Sequence, residues 1–92
     1  MSRVTLELPT VLAQVLEGQR SITVEAETLK SALERAFEMH PALRVHITDE
    51  SGNLREHVLC FHNDVNSRWR ERMDTPLADG DRITILQAVS GG

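Results

Sequence analysis

The feature that most constrains this chain is one amphipathic helix pattern set between runs of alternating apolar residues. Leu29, Ala32, Leu33, Ala36 and Phe37 fall at i, i+3, i+4, i+7 and i+8, the spacing of a single helix face. Thr28 stands immediately before the run, where its hydroxyl can accept from the free N–H groups of the first turn. Glu27 suits the positive end of the helix dipole. Pro41 disfavours helical geometry in the residue before it, so the helix is predicted to stop about His40. The apolar face is read as core, with no basis for a cofactor site.

A single helix needs a sheet to cover, and the flanking sequence supplies one. Val4, Leu6 and Leu8 alternate with Thr5 and Glu7 in a first strand ending at Pro9. Ile22 and Val24 alternate within Ser21 to Glu25, a second strand predicted to pair antiparallel with the first. Between them Val11 to Leu16 is apolar without a clean period and is closed by Gly18. Its leucines are expected to pack onto the core, and its conformation is left open. Beyond the helix, Leu43, Val45 and Ile47 are compatible with a short extended piece, and residues 48–53 with a mobile polar loop. Val58 to Asn63 reads as a third main strand, and Asn63-Asp64 followed by Val65-Asn66 as turn chemistry between it and a short edge element. Arg68 to Met73 is charged and read as irregular. Asp79-Gly80-Asp81 makes a tight turn before a last strand, in which Ile83 and Ile85 alternate with Thr84 and Leu86.

One helix on one face of a small mixed sheet is a two-layer α+β domain. Strand, strand, helix and then strands is the element order of the β-grasp, here with four to five strands. In that fold the first and last strands lie parallel at the centre. At 92 residues the chain makes one domain, assigned to 1–88, followed by a flexible tail, 89–92.

Composition narrows the partners. A formal charge of -4 argues against a phosphate-backbone ligand, so no nucleic acid is expected. The one basic run, Arg68-Trp69-Arg70-Glu71-Arg72, is broken by Glu71 and reads as a solvated edge with Trp69 folded onto the domain. No apolar run is long enough to span a bilayer and the N-terminal residues lack a signal-peptide core, so a cytoplasmic chain with no membrane contact is expected. Cys60 is the single cysteine and reads as a small buried hydrophobe. His57 and His62, without a second cysteine or a spaced pair on one face, are not read as metal ligands.

The last strand runs into Gln87-Ala88-Val89-Ser90-Gly91-Gly92. Glycines carry no Cβ, so this end can lie extended in a narrow channel and approach a partner's backbone closely. From Val89 onward it reaches roughly 13 Å at about 3.3 Å per residue. Several segments carry a family resemblance: Val4-Thr5-Leu6-Glu7-Leu8-Pro9-Thr10-Val11-Leu12, His40-Pro41-Ala42-Leu43-Arg44, Phe61-His62-Asn63-Asp64, and Pro76-Leu77-Ala78-Asp79-Gly80-Asp81 leading to Gly91-Gly92. Together they resemble the ubiquitin-like sulfur carriers, which include the molybdopterin synthase small subunit and the thiamine-pathway carrier. The pattern looks most like the carriers that feed cysteine synthesis.

The resemblance implies a protein co-substrate, not an enzyme. A ubiquitin-activating-type adenylyltransferase would join the Gly92 carboxylate to AMP using ATP and Mg²⁺, and a sulfur source would convert it to a thiocarboxylate. A sulfur-accepting synthase would then take the sulfur, in the cysteine case a pyridoxal-phosphate-dependent, cysteine-synthase-like enzyme. Molybdopterin, thiamine and specialised metabolites stay open as destinations. Val89, Ser90, Gly91 and Gly92 would enter the partner, with no catalytic side chain, metal or stably bound cofactor of the carrier's own. If Ile83 and Ile85 point inward, then Thr84, Leu86 and Ala88 point outward. The residues leave open which face Phe61 takes, and the resemblance sets it beside Leu86 with Cys60 inward, so Phe61, Leu86 and Ala88 form the expected docking face. The alternative is a protein modifier joined through Gly92 to lysines of targets. The chain's one lysine, Lys30, argues against chain-building through several linkages.

Overall fold

Alternation and the single helix stripe generate a five-stranded sheet with its helices on one face. The structure, a computed structural model, describes residues 1–67 and 74–87. The readings of Arg68 to Met73, including Trp69, and of Ala88 to Gly92 therefore lie outside the described residues, as does the boundary between domain and tail. The strands are β1 (Ser2–Glu7), β2 (Ser21–Ala26), β3 (Val58–His62), β4 (Val65–Ser67) and β5 (Arg82–Gln87). Their order across the sheet is β2-β1-β5-β3-β4, with β1 and β5 parallel and every other pair antiparallel. This is the β-grasp arrangement expected from the element order.

Two faces follow from the period of two. Val4 and Leu6 of β1, Ile22, Val24 and Ala26 of β2, Val58 and Cys60 of β3, and Ile83 and Ile85 of β5 are buried. They meet the stripe of α2 (Leu29–Met39), whose Leu29, Ala32, Leu33, Ala36 and Phe37 are all buried. Thr28 caps α2 as expected, and the reciprocal partner is Ser31. The Ser31 N–H donates to the Thr28 hydroxyl at 3.2 Å, while the Thr28 N–H donates to the Ser31 hydroxyl at 3.0 Å. The β1–β2 connection is helical: α1 (Thr10–Ala13) runs into a 3-10 turn at Gln14–Leu16, and Leu12 is fully buried. Glu17 and Gly18 then take left-handed backbone, φ 57° and 92°, to end it.

One expectation needs correction. Leu43, Val45 and Ile47 do not form an extended piece; they lie in a helix, α3 (Pro41–Ile47). An extended piece would put all three on one face, whereas Leu43 and Ile47 are fully buried and Val45 is 64% exposed. That split is the i, i+4 pairing of a helix. Pro41 sits at the first helical position, where its missing N–H has no intrahelical role and its fixed φ is suitable, so the proline that stops α2 also starts α3. The polar loop after α3 is closed by its own hydrogen bonds. The Asp49 carboxylate accepts from the N–H groups of Ser51 (2.8 Å) and Asn53 (3.1 Å), and the Asp49 N–H donates to the Asn53 carbonyl at 2.8 Å.

The α3 geometry makes a sharp contrast between neighbours. Val45→Asp should change unfolding free energy by less than about 0.5 kcal/mol, while Leu43→Ala should lower it by about 2–5 kcal/mol. Urea denaturation of the two variants measures both.

Candidate functional site

Position at the end of β5 depends on how the strand begins, and the turn before it is tied to two neighbours. The Asp79 carboxylate accepts from the Arg3 N–H at 2.8 Å, and the Gly80 N–H donates to the Arg3 carbonyl at 3.0 Å. Gly80 has φ 89°, a conformation that disfavours any residue with a Cβ. The Thr5 N–H then donates to the Asp81 carbonyl at 3.1 Å, which starts the parallel ladder.

On its other side β5 is tied to the β3–β4 turn. Asp81 Oδ2 lies 2.7 Å from His62 Nε2 and accepts from the Ala78 N–H at 2.9 Å, while Oδ1 accepts from the Asn63 amide at 3.3 Å. The Ala78 N–H first, then His62 and Asn63, hold the Asp81 carboxyl below the usual carboxylate range. Asn63 exchanges two bonds with Arg82: its N–H donates to the Arg82 carbonyl at 2.7 Å, and its side-chain oxygen accepts the Arg82 N–H at 2.9 Å. Asn63 has φ 56°, which asparagine tolerates better than most residues. His62 is thus a structural partner of Asp81.

Beyond this clasp, the sheet face away from the helices divides by polarity. Its β1–β5 part carries Glu7, Thr84 and Arg82, joined by a Thr84 hydroxyl to Glu7 bond at 3.3 Å and an Arg82–Glu7 ion pair at 3.5 Å. The β5–β3 part carries Leu86, Leu59 and Phe61. Leu86 is 42% exposed and Leu59 36%, and Phe61 is partly exposed. Leu59 is the direct partner of Leu86, and Phe61 is the partner of Thr84. The structure therefore sets Phe61 and Leu86 on one face as diagonal neighbours, with Leu59 between them. Ala88 and the tail residues Val89, Ser90, Gly91 and Gly92 lie outside the described residues.

Leu59 was missing from the expected face. Once Cys60 is taken as inward, alternation alone puts Leu59 on the same face as Phe61. Cys60 is buried, and burial pushes its thiol up to about 12. That thiol stays protonated and serves as packing.

The clasp predicts a pH dependence. Because the folded Asp81 carboxyl titrates below its unfolded value, its stabilisation is complete above about pH 4 and is lost as pH falls through the lower folded value. Asp81→Asn should be less stable than the parent at neutral pH, and the difference should shrink below about pH 4. Urea melts of both chains across that range test the sign.

The comparisons with known proteins follow this geometry. Residues 7–92 match the ThiS family. The sulfur carrier protein CysO of Mycobacterium tuberculosis is 33% identical over 91 residues, covering 97% of this chain and 98% of its own. The small archaeal modifier protein SAMP1 of Haloferax volcanii superposes with a TM-score of 0.84 at 26% identity, covering 99% of this chain and 100% of its own. A chain of the BexX/CysO complex from Amycolatopsis orientalis gives 0.82 at 27%, covering 97% and 99%. On the family match and the CysO identity together, this chain belongs to the ThiS family, the ubiquitin-like sulfur carriers whose residue pattern it resembles.

Proposed function

We propose that this chain carries sulfur as a thiocarboxylate on Gly92 and delivers it to a biosynthetic enzyme, with cysteine synthesis the favoured destination. The observation that carries the reading is the extent of the match. The ThiS family match runs through Gly92, and the CysO likeness covers nearly the whole of both chains. The geometry agrees, since β5 is tied to β1 and β3 and leads toward residues 88–92 beside an apolar strip.

The chemistry follows from the weakness of a carboxylate as an electrophile. A Gly92 oxygen attacks the α-phosphorus of ATP, pyrophosphate leaves, and an acyl adenylate forms on an adenylyltransferase of the ubiquitin-activating type, where Mg²⁺ offsets phosphate charge. A sulfur nucleophile then attacks the acyl carbon and AMP leaves, giving the thiocarboxylate. The chain is proposed to supply no acid, base or nucleophile side chain; it positions one carboxyl group in another protein's active site. The ATP-dependent step sets the proposed chemistry in the cytoplasm, and no described helix is long and apolar enough to cross a membrane.

Docking is assigned to the strip of Leu59, Phe61 and Leu86, with Ala88, which lies outside the described residues, added on the resemblance alone. Contiguous exposed apolar residues beside a reactive end are a binding patch rather than scattered surface residues. That a CysO forms a complex with BexX supports a protein partner for a carrier of this fold. The sulfur-accepting partner is proposed to be a pyridoxal-phosphate-dependent, cysteine-synthase-like enzyme.

A second reading is favoured by the likeness to SAMP1, a small archaeal modifier protein. The same activated Gly92 would acylate a lysine of a target protein. Adenylation is common to both readings, and the acceptor of the acyl group separates them.

ATP-pyrophosphate exchange with the adenylyltransferase of the same organism tests activation and docking together. Removing Gly92 should abolish exchange. Leu86→Asp or Leu59→Asp should raise KM at least ~10-fold, about 1.4 kcal/mol, with kcat little changed. Full exchange by the chain lacking Gly92 would sink the proposal.

A further inference from the structure

The parallel ladder at the sheet centre stops one step before β5 does, and the cause is a single residue. β1 and β5 pair through Thr5↔Arg82, Leu6↔Ile83 and Glu7↔Thr84. In this register Thr5, Glu7 and the residue at position 9 face β5, and Ile83, Ile85 and Gln87 face β1. The Thr5 N–H bond to the Asp81 carbonyl and the Asn63 N–H bond to the Arg82 carbonyl fix that phase. The next step would use an N–H at position 9 to bond the Ile85 carbonyl, and a carbonyl at position 9 to accept the Gln87 N–H. Position 9 is proline and has no N–H. Its carbonyl is already taken, accepting from Leu12 at 3.0 Å and Ala13 at 2.9 Å in the first turn of α1.

The vacated place is a groove of about 390 Å³, lined by Leu8, Pro9, Arg20, Thr84, Ile85 and Leu86 among others. The groove's lining ends at Leu86; the ladder phase points the N–H of the next residue, Gln87, to the side of β5 that β1 has left, while Leu86 spends its own backbone groups on Leu59 of β3. The slot is continuous with the apolar strip through Leu86, which belongs to both. A partner seated on the strip reaches the slot without crossing other surface.

We infer that the slot vacated by β1 beside Gln87 receives an extended backbone segment of the adenylating partner, which accepts the Gln87 N–H and adds a strand to β5. This rests on the proposed sulfur-carrier reading and deepens it. An added strand fixes the direction in which β5 leads toward the reacting carboxylate, because main-chain bonds set register and orientation along the peptide. Side-chain contacts on the strip set where the globule sits, and the bond at Gln87 sets how the chain leaves it.

Gln87→Pro removes the N–H that faces the slot and leaves the β3 ladder intact, since that ladder is carried by Leu86. Gln87→Ala keeps the N–H and removes only the side chain. In ATP-pyrophosphate exchange with the adenylyltransferase of the same organism, the proline variant should raise KM at least ~10-fold and the alanine variant less than ~2-fold, with both thermal midpoints near that of the parent. Equal KM for a folded proline variant and the parent overturns the inference, as does an equal loss in the alanine variant, which would assign the effect to the side chain. Absence of exchange with the parent chain would instead remove the sulfur-carrier reading, and the inference with it. Should the proline variant fail to fold, amide hydrogen exchange of the parent decides. The Gln87 N–H should exchange faster than that of Leu86 in the free chain and slow at least ~10-fold when the adenylyltransferase binds. An unchanged Gln87 rate in the complex contradicts the added strand.

Discussion

The parallel pairing of β1 with β5 is the contact on which the rest depends. It joins the two ends of the described chain at the sheet centre, so every other element is placed relative to it: β2 against β1, β3 and β4 beyond β5, and the helices across the buried face. Parallel neighbours need a long connection, and here the whole of α1, β2, α2, α3, β3 and β4 lies between them. The pairing also brings the Asp79-Gly80-Asp81 turn against Arg3 and Thr5, where three hydrogen bonds from backbone and carboxylate hold the turn that starts the strand. The end of β5 is thus aimed by contacts made at its beginning.

Periodicity made most of this legible. The α2 stripe and the alternation of Ile22 with Val24 and of Ile83 with Ile85 are local patterns, and the structure buries every one of those residues. Where two periods fit the same residues, sequence could not choose. Leu43, Val45 and Ile47 satisfy both a strand and, through Leu43 and Ile47 alone, a helix; only packing against α2 and the sheet settles it. Val58, Leu59, Cys60 and Phe61 are apolar in succession, so nothing local fixes the strand's phase. Pairing with β5 fixes it, and Leu59 emerges as the third member of the exposed strip. The His62–Asp81 contact joins residues 19 apart across a turn, a tertiary fact with no local signature. Pro9 was read as the end of a strand; that it also withholds a ladder partner from β5 needs the register.

The candidate site is notable for what it asks of the chain. Among the described residues, the groups whose titration is shifted are accounted for structurally: the Cys60 thiol is raised by burial, and the Asp81 carboxylate is lowered by the bonds that clasp the turn. Neither faces the apolar strip. Under the proposed reading the protein is itself the substrate, and the fold's task is to present a reactive end to a partner. The sheet surface near that end carries polar residues toward β1 and apolar ones toward β3, a division that gives a docking partner one preferred orientation.

The central claim is that Gly92 becomes a thiocarboxylate, and intact mass spectrometry of the protein isolated from its native cell tests it most directly. The account predicts a species heavier than the encoded chain by the replacement of one oxygen with sulfur, mapped by fragmentation to Gly92. A population carrying only the unmodified carboxylate, or only isopeptide-linked conjugates to other proteins, would contradict it.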